Sequence, residues 1–88
     1  MPDIDLTATR RDIEGWLAQA KEMGASHVIV VYDAFDYHDY PVYVMPGQDV
    51  REKFKELDGV NMQRVMEVYS LKLPVEEQLS EHRAFHFD

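Results

Sequence analysis

Residues 28–44 read VIVVYDAFDYHDYPVYV. Two runs of β-branched and aromatic residues flank a turn built from aromatics and carboxylates, the pattern of a β-hairpin. The first run, Val28, Ile29, Val30 and Val31, is apolar on both faces. That suits a strand covered on both sides, or one at a dimer interface. The first strand is expected over residues 27–35. Pro41 is expected to open the second, VYVM, because its missing N–H is tolerated at a strand start or a sheet edge. Pro46 and Gly47 end it.

Outward from the hairpin, the chain alternates with helical patterns. Before it, Thr9 can cap a helix, with Asp12 at the third helical position as in a capping box. Ile13, Trp16, Leu17, Ala20 and Met23 follow as one apolar stripe, and Gly24 is placed to end it in the left-handed conformation. Gly15 lowers the propensity of this helix by about 1 kcal/mol relative to alanine. After the hairpin, Asp49 caps a second helix with Glu52 three residues on and Val50, Phe54 and Leu57 on one face; Asp58-Gly59 stops it.

Residues 62–73 fit two patterns. Met62, Val65, Met66, Tyr69 and Leu73 form a helical stripe, whereas Val65, Tyr69, Leu71 and Leu73 form one strand face. The β-branched residues and Tyr69 favour a strand. Pro74 suits the first turn of a last helix, with Glu76 and Glu77 at its positive end and His82 and Arg83 at its negative end. The resulting order is α-β-β-α-β-α. It predicts an α+β fold, a single domain over residues 1–88 with a short tail over 1–8, and a three-stranded, mostly antiparallel sheet packed with helices.

Composition narrows the function. The chain has 88 residues, 45% of them hydrophobic, and no cysteine, which excludes disulfides, thiol nucleophiles and cysteine-based zinc sites. Seventeen acids against nine bases give a net charge of −8. Such a chain is expected not to bind nucleic acid directly or to dock on an anionic membrane. No apolar run is long enough for a membrane span or a signal peptide, so the cytoplasm is the expected compartment. A core this small gains from further cover, so a homo-oligomer is expected.

Three groups of side chains invite a functional reading. In the hairpin turn, Asp33, Asp36 and Asp39 recur every third residue with His38 between them. Oxygen ligands and an imidazole could hold a divalent metal, although the spacing is not that of a calcium loop. Tyr37 and Tyr40 favour contact with a partner instead, and the structural alternative is a polar turn whose aspartates bond nearby amides. At the C-terminus, EHRAFHFD places His82 and His86 four apart, a zinc-like spacing only if the helix extends that far. Otherwise Phe85 and Phe87 lie on the sheet or on a neighbouring subunit. Finally, Arg64 and Arg83 could clamp a carboxylate or phosphate, with Tyr43 and Tyr69 as stacking faces. Their structural alternative is a surface ion pair with Glu67, Glu76 or Glu81.

The expected contact set is thus Asp36, Tyr37, His38, Asp39, Tyr40, Tyr43, Arg64, Tyr69 and Arg83. No catalytic residue and no cofactor motif emerges: there is no nucleophile elbow, P-loop or dinucleotide fingerprint, and Ser26, Ser70 and Ser80 have no assignable base.

The run GASHVIVVYDAFDYHDYPVYVMPGQDV, with NMQRVMEVYSL and EHRAFHFD, resembles a group of short hypothetical proteins of bacteria and tailed phages. The resemblance brings no activity, and implies at most a small accessory protein that acts by binding. Three functions stay open: a non-enzymatic interaction protein that self-associates, a sequestering protein for a small anionic, nucleotide-like ligand, and a metal-dependent hydrolase using Asp33, Asp36, His38 and Asp39.

Overall fold

A computed structural model describes residues 9–81 and 83–88. The expected N-terminal tail over 1–8 and the His82 half of the histidine pair lie outside the described residues. Thr9 closes the capping box: its hydroxyl accepts from the Asp12 N–H at 3.2 Å, and the Asp12 carboxylate accepts from the Thr9 N–H at 3.0 Å. Helix α1 runs over Arg10–Met23 and stops where Gly24 adopts φ 77°, a left-handed conformation that costs glycine little. Its stripe buries Ile13, Leu17 and Ala20.

Strands β1 (His27–Asp33) and β2 (His38–Val44) form the hairpin. Helix α2 (Val50–Leu57) follows, capped by Asp49, whose Oδ1 accepts from the N–H groups of Arg51 at 2.9 Å and Glu52 at 3.4 Å. Residues 62–73 resolve as a strand, β3 (Gln63–Ser70), before the five-residue helix α3 (Val75–Leu79). The sheet has the order β2-β1-β3 and both pairings are antiparallel. The architecture is α+β in the order α-β-β-α-β-α.

The central strand explains its own composition. Val28 and Val30 face α1 and α3, and Ile29 and Val31 face α2 and Phe87. All four are at most 1% exposed, so both faces of this strand are covered within one chain.

Four details differ from the sequence reading. β1 ends at Asp33 rather than residue 35, because the Asp33 carboxylate accepts from the N–H groups of Phe35 at 2.8 Å and Asp36 at 3.3 Å and turns the chain. β2 begins at His38, so Pro41 lies inside it, opposite Val30. β2 is an edge strand, the place in a sheet where proline is tolerated. Val65 and Tyr69 do not share a strand face: Val65 packs in the α2-side core and Tyr69 in the α1-side core.

The last difference is the length of α3. Ser80 donates its hydroxyl to the Glu77 carbonyl at 2.7 Å, and the Gln78 amide turns back to the loop before the helix. Gln78, 2% exposed, accepts from the Ser70 N–H and donates to the Ser70 carbonyl, each at 2.8 Å. The helix therefore ends before Arg83, which lies on the segment that follows. That segment turns along the outer edge of β3, where Val68 bonds the main chain of Ala84 at 2.8 Å and of His86 at 3.0 Å. An edge that would otherwise stay open is partly closed.

Candidate functional site

A β-bulge decides which side chains meet at the far end of the sheet. In the β1–β3 ladder Val30 stands opposite Glu67, but Val31 stands opposite Val65, so Met66 is the extra residue. Side chains on a strand alternate between faces, and one inserted residue reverses the alternation beyond it. Without the bulge, Val65 would turn to the α1 side and Arg64 to the α2 side. With it, Val65 joins the core and Arg64 comes opposite Tyr32. The Val65 N–H donates to Asp58 Oδ1 at 3.0 Å.

Arg64 and Tyr32 line a groove of about 540 Å³ together with Met62, Met66 and Arg83. The two arginines singled out in the sequence thus converge, although one belongs to β3 and the other to the segment after α3. The carboxylates expected to neutralise them are engaged elsewhere. Glu67 accepts from the Tyr69 hydroxyl at 2.9 Å and the Ala84 N–H at 3.3 Å. Glu76 pairs with Arg10 at 3.3 Å, and Glu81 with His86 at 2.7 Å. Among the described residues no ion pair joins Arg64 or Arg83 to a carboxylate. Arg83 donates to the Met66 sulfur at 3.8 Å.

The groove wall carries backbone strain as well. Asn61 and Met62, just before β3, have φ 53° and 63°. A left-handed asparagine is common, but a left-handed methionine is not. The Met62 carbonyl accepts from the Ala34 N–H at 2.9 Å, which ties this loop to the base of the hairpin.

The other expected contact residues lie apart from the groove lining. Tyr69 is 2% exposed in the α1-side core, and burial together with the Glu67 carboxylate raises its pKa. Tyr43, opposite Val28, packs against the same core, and burial raises its pKa too. Tyr40 packs on the α2-side core, its hydroxyl pKa raised by burial and then by Asp33. His38 lies against Tyr40 with ring centroids 6.1 Å apart. Asp39 stands opposite Tyr32 in the register. Asp36 and Tyr37 are exposed at the hairpin tip. Among the described residues no group of three His, Asp or Glu side chains is arranged to hold a metal ion.

Two features were missed in the sequence. Tyr32 comes to the groove by strand alternation along β1, Met66 through the bulge and Met62 through the left-handed loop, and no local motif marks them. The second is a buried polar chain. His27, 3% exposed, has Nδ1 2.8 Å from the Ser26 hydroxyl and Nε2 2.9 Å from the main-chain oxygen of Asp88. Ser70 donates to that same oxygen at 2.6 Å. The oxygen can only accept, so Nε2 carries the proton and Nδ1 is left as an acceptor facing the Ser26 hydroxyl, which also has the Val44 carbonyl within 3.2 Å. Serine beside histidine suggests a nucleophile and its base, but this imidazole is enclosed and holds the last segment against the sheet.

No protein-family model matches the chain, and no curated protein or solved structure is significantly similar to it. Among the described residues no helix is long and apolar enough to cross a membrane.

Proposed function

We propose that this chain is a small, non-enzymatic binding protein that holds an anionic ligand in the groove between Arg64 and Arg83. One observation carries the reading: two guanidinium groups share a concave surface while the nearby carboxylates bond other partners. Arginine presents a planar fork suited to two parallel bonds with phosphate or carboxylate. Tyr32 and the methionines Met62 and Met66 add an aromatic ring and adaptable apolar surface, which suits a ligand with an anionic end and a flat apolar body. A nucleotide-like molecule has this character. The resemblance to short phage and bacterial proteins agrees with a cytoplasmic accessory protein that sequesters rather than converts its ligand, and that part of the reading rests on sequence alone.

Thermal shift against a panel of nucleoside mono-, di- and cyclic phosphates tests it. A true ligand at a hundredfold excess over its dissociation constant stabilises the fold by roughly 2.7 kcal/mol. The shift disappears in Arg64→Ala and Arg83→Ala. A shift that survives both substitutions, or none with any phosphate or dicarboxylate, defeats the reading.

A further inference from the structure

The hairpin tip and the surface beside α2 have complementary chemistry that neither the core nor the Arg64–Arg83 groove uses. At the tip, Phe35 and Tyr37 are 73% and 66% exposed, with the exposed Asp36 between them. Exposed rings usually mark a contact when they cluster. The tip is also stiff, because Asp33 bonds the N–H groups of Phe35 and Asp36. A preorganised tip loses little freedom on docking.

The complementary surface is a groove of about 440 Å³ between α2 and the last segment. Its floor is aromatic: Phe54 meets Phe87 edge to face at 5.4 Å, and Phe85 is 43% exposed beside them. Its rim is cationic. The Arg51 guanidinium lies 4.6 Å over the Phe87 ring, and Lys55 follows one turn later. Among the described residues neither cation has an ion pair. In a chain of net charge −8, two neighbouring cations over a partly exposed phenylalanine floor are a local reversal of sign.

We propose that this groove receives the hairpin tip of a second copy of the chain. Asp36 sits between Arg51 and Lys55, and the rings of Phe35 and Tyr37 lie on the phenylalanine floor. The occupant is another copy because the tip supplies a carboxylate for the two cations of the rim and rings to stack on the phenylalanine floor. A copy cannot seat its own tip: the short turn over residues 34–37 is held at the end of the β1–β2 hairpin by Asp33, while the groove lies between α2 and the segment that runs along the outer edge of β3. The contact pairs two different surfaces. Two copies can exchange tips in a closed pair, and otherwise the contact propagates head to tail.

Sedimentation of the full chain between roughly 1 µM and 1 mM tests this. The wild type associates with rising concentration, and Asp36→Lys and Arg51→Glu each weaken association at least roughly tenfold. An equimolar mixture of the two variants associates again, because the unaltered tip of one meets the unaltered groove of the other. Both positions are exposed, and unchanged melting confirms that each variant folds; if Arg51→Glu melts early, Lys55→Glu replaces it in the mixture. A wild type that stays monomeric throughout, variants that associate like the wild type, or a mixture no better than its components would each overturn the proposal. Loss of association in Arg64→Ala instead would place the contact in the other groove, and would overturn it too.

Discussion

At the scale of single residues, His27 shows how a polar side chain can be structural where its neighbours suggest chemistry. Its imidazole is enclosed and neutral, holding the Asp88 main chain on one side and Ser26 on the other. Burial is the main cause that lowers its pKa below the ordinary 6.5; the Asp88 main-chain bond opposes this, and nearby Lys72 reinforces it. A lowered pKa means that the unfolded chain takes up a proton the folded chain refuses. The stability that depends on neutral His27 is therefore complete above 6.5 and is lost as pH falls below it. One proton limits the slope to about 1.4 kcal/mol per pH unit. Melting temperature should fall between roughly pH 7.5 and 5.5, and His27→Gln should melt lower at the upper pH but decline less steeply. Equal slopes for the two proteins would show that His27 does not carry the effect. Nothing in the sequence around residue 27 announces this role, because its partner is a main-chain oxygen far along the chain.

At the scale of elements, the bulge in β3 converts a core strand into one wall of a groove. Asp58 ends α2 and uses its carboxylate to receive the Val65 N–H at 3.0 Å, so one residue stops a helix and holds the bulge. Removing that acceptor leaves a half-buried donor unsatisfied, at a cost of about 1–3 kcal/mol. Asp58→Ala should lower the unfolding free energy by that amount in a denaturant titration and weaken anion binding, while Asp58→Asn should recover most of the stability. Unchanged stability in Asp58→Ala would remove Asp58 from this account. The same bulge explains why the sequence was ambiguous here. Val65 and Val68 are three apart, a helical spacing, yet both face α2 because Met66 adds a residue between them. By contrast, the capping box at Thr9, the cap at Asp49 and the two-sided run of valines were legible, because each is a local pattern with one physical solution. The meeting of Arg64 and Arg83 could only be guessed from their isolation among apolar neighbours. Its geometry depends on an inserted residue and an abrupt helix end, neither of which leaves a periodic trace.

At the scale of the whole molecule, a cationic groove sits on a strongly anionic body. The described chain extends 42 × 26 × 22 Å, several times a Debye length of about 10 Å at 0.1 M salt, so carboxylates at its far end are screened from the groove. An anion seated there feels the two guanidinium groups at contact distance and is shielded from the rest. At about 0.01 M the Debye length grows to roughly 30 Å, and the repulsion of the distant carboxylates reaches the groove. The contact itself changes little, because its few ångströms are short against either length. Ordinary cationic sites bind anions more tightly as salt is removed; this one should gain little or weaken between those two concentrations. Calorimetric titration with a nucleoside monophosphate at both salts decides it, with Arg64→Ala and Arg83→Ala as controls for the site. Steep tightening at low salt would mean that the local arginines outweigh the field of the remaining charge. The anionic body would then have no part in selecting what the groove holds.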